Sequence, residues 1–64
     1  MPRVTVSTME GTTIETKRKL AEEITQVVVN NIKCPIEAVS VVIEERKWED
    51  VAHGGKLMAD TRGK

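Results

Sequence analysis

The chain has no phenylalanine and no tyrosine, and Trp48 is its only aromatic residue. Proteins that hold single-stranded nucleic acid stack bases on several such rings, so that class is disfavoured. Charge points the same way. Ten basic and ten acidic residues cancel, leaving no basic excess to attract a phosphate backbone. Cys34 is the only cysteine, which excludes an intrachain disulfide. Cys34 and His53 are the only soft metal ligands, and their spacing resembles no zinc site. No apolar run approaches the ~20 residues of a membrane span, and no signal-peptide core is visible. An unpaired thiol suits a reducing interior. The expectation is a cytoplasmic chain that binds neither nucleic acid nor membrane and uses no metal or cofactor.

Length sets the next constraint. Sixty-four residues make one domain at most, and a chain this short buries only ~60% of its unfolded surface. A single core of this size rarely contributes more than a few kcal/mol. With disulfides and metals set aside, self-association is the remaining route to stability. An apolar content of 39% is enough to supply an interface.

The pattern along the chain predicts a βαβ unit. Arg3 to Met9 alternates, with Val4, Val6 and Thr8 on one side and Thr5, Ser7 and Met9 on the other, as a β-branched strand does. Glu10-Gly11-Thr12 breaks the alternation. Thr13 is the expected N-cap of a helix over Ile14–Lys33, with Glu15 in its first turn. Leu20, Ala21, Ile24, Val27, Val28 and Ile32 form its apolar stripe. Glu15–Lys19, Arg18–Glu22 and Lys19–Glu23 are opposite charges one turn apart on the wet side. Pro35 ends the helix by disfavouring helical geometry at Cys34. Val39 to Glu45 reads as a second strand, apolar enough for burial on both faces. A polar loop, Arg46 to Asp50, follows. Gly54-Gly55 marks a turn closing a short hairpin within Val51–Met58, and Asp60 to Lys64 reads as a frayed tail. The two strands are expected to lie parallel with a right-handed crossover. Two parallel strands alone are not stable in water, so another copy is needed to extend the sheet.

Pro2 is the feature with chemical potential. Removal of Met1, common when a small residue follows, turns its nitrogen from an amide into a secondary amine. Without that step Pro2 is an ordinary strand-edge proline, where a missing N–H is harmless.

The ordered set resembles the 4-oxalocrotonate tautomerase family over essentially the whole length. The carrying features are Pro2 ahead of strand one, Glu10-Gly11 closing it and the long amphipathic helix. Pro35 before a valine-rich strand ending Glu44-Glu45, and Gly54-Gly55 in the hairpin, complete the set. The resemblance implies an α+β, tautomerase-like domain over residues 1–64, with dimers joining sheets and a hexamer built as a trimer of dimers. It also implies a cofactor-independent isomerase in which Pro2 is the general base. The substrate class is small enols and 2-oxo acids, whose protons move between carbon and oxygen or between two carbons.

Three partners of that proline are missing. The family's well-studied members have an arginine where this chain has Thr12, another where it has Ser40, and an aromatic residue where it has Val51. No such role is carried to these three positions, and turnover of a dicarboxylate such as 2-hydroxymuconate is expected to be low. Arg46, Lys47 and Arg62 are the candidate replacement cations, from the same or a neighbouring subunit, and the alternative for each is a solvated surface charge. Lys56 is a further cation near the hairpin. Trp48 either walls the proline pocket or packs across an interface. Arg3 adjoins the proline but points to the opposite face of the strand, and its charge still opposes protonation of the amine. His53 is expected to be an exposed hairpin residue, and Cys34 lacks the partnered base of a nucleophile. The alternative function is a non-enzymatic oligomeric module that keeps the fold. Hydration-type dehalogenation or decarboxylation on the same base is a weaker third.

Overall fold

The computed structural model describes residues 1–61 fully and the backbone of Arg62. Strand β1 covers Arg3–Met9, helix α1 Ile14–Ile32 and strand β2 Ser40–Arg46. A hairpin of β3 (Ala52–His53) and β4 (Lys56–Leu57) leads directly into a short helix α2, Met58–Arg62. One-turn 3-10 segments precede β2 at Ile36–Ala38 and follow it at Trp48–Asp50.

β1 and β2 pair in parallel, with Arg3 opposite Ser40, Val4 opposite Val41 and so on to Met9 opposite Arg46. The expected βαβ unit is therefore present. Val4, Val6 and Thr8 are half-buried while Arg3, Thr5 and Ser7 are exposed, so α1 covers the former face. An ion pair from Lys17 on α1 to Glu45 on β2, 3.4 Å long, fixes the helix on that side. The open face carries Arg3, Thr5, Ser7 and Met9 beside Ser40, Val42, Glu44 and Arg46.

Local chemistry sets the boundaries. The Thr13 hydroxyl accepts a hydrogen bond from the Thr16 amide at 3.2 Å, satisfying a donor that the first helical turn leaves unpaired. Thr13→Ala removes this cap. The expected cost is about 1 kcal/mol, read as a lower melting temperature at fixed protein concentration. The helix stops one residue earlier than expected, at Ile32. Lys33 turns left-handed at φ 65° and returns its amide to the Val29 carbonyl, an end that the Cys34-Pro35 pair enforces. β2 is shifted by one residue from its expected span. Val39 instead closes the preceding 3-10 turn onto the Ile36 carbonyl. Gly54 and Gly55 both take positive φ, 59° and 84°, as a two-residue hairpin turn of the primed type requires.

Two expectations are corrected, at the tail and in the apolar stripe. Asp60 to Arg62 are helical rather than frayed, because the Met58 amide donates to the Val51 carbonyl at 2.8 Å and ties α2 back onto the hairpin; Gly63 and Lys64 lie outside the described residues. The three helix charge pairs stay open. Among the described residues the ion pairs within 4.0 Å are Lys17–Glu45 and Arg46–Glu44, since long exposed side chains gain little by closing. The apolar stripe also divides. Leu20, Ala21, Ile24 and Val28 are half-buried against the sheet, whereas Val27 and Ile32 are each 59% exposed.

No described residue is fully buried. The accessible surface, 5025 Å², exceeds by roughly 900 Å² what a monomeric protein of this mass presents. The radius of gyration is 15.2 Å, against about 11 Å for an independently folded chain of this length. That excess area is about one partner's share of a standard-size interface. The single chain is a helix laid on two strands, with its apolar surface still open.

Candidate active site

Pro2 sits just ahead of β1 and is half-buried. Its carbonyl accepts a hydrogen bond from the Ser40 amide at 3.0 Å, which locks the chain start to the beginning of β2. Met1 is 95% exposed, so nothing in the protomer shields it from a processing enzyme. Side-chain alternation places Pro2 on the same sheet face as Val4, the face under α1. Val4, Leu20, Ile24, Val27, Val28 and Glu23 line a groove of about 380 Å³ there. Pro2 adjoins this groove through Val4 and does not itself line it. A larger depression of about 610 Å³ runs between α1 and the first 3-10 turn, lined by Arg18, Ala21, Glu22, Thr25, Gln26 and Ile36. It borders none of the candidate residues.

The candidate substrate-binding residues lie elsewhere. Arg46 pairs with Met9 at the far end of the register, seven residues along β1 from Pro2, or ~23 Å at the usual strand rise. Its guanidinium is 3.0 Å from Glu44 on the open face. Lys47 is exposed and makes no ion pair among the described residues. The Trp48 amide donates to the Glu10 carboxylate at 3.5 Å, and the residue is half-buried. Arg62 ends α2, but its side chain lies outside the described residues. Within one protomer, then, Arg46, Lys47 and Trp48 gather at the opposite end of the sheet from Pro2. Only a neighbouring copy can bring them to it.

Glu45, read from the sequence only as the end of the second strand, has a structural role. One of its carboxylate oxygens accepts from the Thr12 amide at 3.3 Å and faces Lys17 at 3.4 Å. It thereby holds the β1–α1 turn against the end of β2. The contact joins residues 33 apart in sequence, and no local pattern signals it. Thr12 itself is half-buried, Ser40 is exposed, and Val51 is half-buried.

The pattern of the family described as tautomerase enzyme matches residues 2–61. The chain belongs to the tautomerase family. A probable tautomerase of Listeria monocytogenes is 42% identical over 60 residues, covering 94% of this chain and 98% of that protein. The 2-hydroxymuconate tautomerase of Bacillus subtilis is 40% identical over 60 residues, covering 94% and 97%. Among solved structures, the heterohexameric 4-oxalocrotonate tautomerase of Chloroflexus aurantiacus superposes with a TM-score of 0.86 at 26% identity. That match covers 97% of this chain and 100% of the other. The tautomerase is thus an isomerase of the 4-oxalocrotonate tautomerase type, built on the expected βαβ protomer with a C-terminal hairpin. No helix among its described residues is long and apolar enough to cross a membrane.

Proposed function

We propose that this tautomerase acts in the cytoplasm as a single-domain, cofactor-independent enzyme, with Pro2 as its general base after removal of Met1. The observation that carries the reading is the placement of Pro2. It is half-buried at the start of the described chain, hydrogen-bonded through its carbonyl to β2 and two residues from Val4, which lines the apolar groove. The substrate is a small 2-oxo or enol carboxylic acid. In ketonisation the amine lone pair takes the enol hydroxyl proton. The electrons of that O–H bond become the carbonyl π bond, and the carbon–carbon π electrons take a proton from the prolinium at C3. A positioned base of this kind contributes roughly 10²–10⁴-fold.

The working form is a homohexamer, built as a trimer of dimers. Its support is the surface excess of the single chain, the exposed Val27 in the groove and the exposed Ile32 at the end of α1, and the heterohexameric assembly named for the Chloroflexus relative. A neighbour covering the groove shelters the Pro2 end from water and carries its own Arg46, Lys47, Trp48 and Arg62 to within reach of another copy's proline. Activity on 2-hydroxymuconate is low, because Thr12 and Ser40 offer no charge to a second carboxylate and positioning is lost with it.

The test is titration of the amino-terminal nitrogen by NMR on fully processed protein. An ordinary α-amino group titrates near ~7.7–8.0 and a proline amine is intrinsically more basic. Burial beside apolar groups and nearby cations both lower it. Only the uncharged amine accepts a proton, so kcat/KM rises with pH through that titration and levels off above it. An amine of ordinary proline basicity would favour the non-enzymatic module instead.

A further inference from the structure

Arg3 follows Pro2 directly, and the parallel register sets it opposite Ser40. Facing residues in adjacent strands lie on one face, with strands ~4.8 Å apart. Both residues are exposed, on the side that α1 leaves open. The Ser40 amide is committed to the Pro2 carbonyl, while its hydroxyl makes no hydrogen bond among the described residues. Arg3 makes no ion pair among them. A five-donor guanidinium and a hydroxyl thus stand side by side, uncommitted, at the end of the sheet that carries the proposed base.

We infer that Arg3 and Ser40 form a carboxylate subsite for the substrate of Pro2; the inference rests on the proline-base reading above. A guanidinium holds a carboxylate through two parallel N–H donors, and the Ser40 hydroxyl supplies a third. Backbone atoms lie in the plane of a sheet rather than on either face. The alternation that separates the pyrrolidine ring from Arg3 therefore does not separate the nitrogen from it. One residue of strand is ~3.3 Å, and the carboxylate of a 2-oxo acid is two bonds from the carbon that gains or loses the proton. Arg3 and Pro2 can therefore engage the two ends of one small molecule. The subsite takes a single carboxylate, which suits a monocarboxylic acid over a dicarboxylate. The same positive charge beside the amine also favours its uncharged form.

The test compares phenylenolpyruvate with its methyl ester, which keeps the enol and loses the charge. Arg3→Gln is expected to lower kcat/KM for the acid roughly 10–100-fold, mostly through KM, as loss of hydrogen bonds to a charged group does. The ester is expected to stay within about 3-fold, the scale of a weak neutral contact. Arg3→Lys recovers part of the acid rate by charge without the fork, and Ser40→Ala costs the acid a few-fold. Arg3→Gln with no effect, or with equal losses on acid and ester, overturns the subsite. Pro2→Ala leaving both substrates unaffected overturns the proline base instead, so the two failures are distinguishable. Light scattering on each variant checks the assembly.

Discussion

Replacing Pro2 with alanine lowers kcat/KM for phenylenolpyruvate tautomerisation by roughly 10²–10⁴-fold, the range a positioned general base supplies. Alanine still leaves a terminal amine after methionine removal, but a primary one on a chain start without the fixed φ of the pyrrolidine ring. A protein that retains Met1 is the stricter comparison, because there the nitrogen is an amide with no basic lone pair. It is expected to lose the same activity. Neither change disturbs the fold, since the hydrogen bond that Pro2 makes to Ser40 runs through its carbonyl, which alanine also has. The measurement is steady-state kinetics on samples whose amino termini are verified by intact mass. Equal rates for the parent chain and Pro2→Ala would remove the proline from the chemistry.

The second large effect is expected at Val27. In the single chain its side chain lines the groove and is 59% exposed. If the protomer stood alone, Val27→Asp would be an ordinary surface change, worth within about 0.5 kcal/mol. If a neighbouring copy covers the groove, the same change buries an unpaired carboxylate, which costs several kcal/mol. Closed symmetry repeats that cost in every subunit. The expected outcome is therefore loss of the hexamer by light scattering. Helical circular dichroism falls with it, because a protomer with no buried residue among those described has little to hold it folded. Asn30→Asp, on the exposed polar side of α1, is the control and leaves assembly intact. A hexamer that survives Val27→Asp would show that subunits meet elsewhere.

Much of the protomer was legible because its signals are local. Alternation in Arg3–Met9, the Thr13 cap, the Cys34-Pro35 stop and the Gly54-Gly55 turn each act within a few residues, and each lies within a residue or so of where the pattern places it. The misses were non-local. Asp60 to Arg62 read as a tail because the Met58–Val51 hydrogen bond that anchors α2 crosses the hairpin. Arg46, Lys47 and Trp48 are candidates from the same or a neighbouring subunit, and sequence gives no distance along a sheet to choose between the two. The register puts them at the other end.

What the sequence determined by itself is the strand–helix–strand order, the hairpin turn and the candidate base. Period, caps and turn residues are properties of neighbouring side chains, and a proline behind a removable methionine is a property of the first two positions. What only the tertiary structure decided is which residues share an end and a face of the sheet. Parallel pairing sets Arg3 beside Ser40 across 37 positions of chain and sends Arg46 away from Pro2. That register follows from packing a whole helix across two strands, an energy summed over the protomer that no short segment carries.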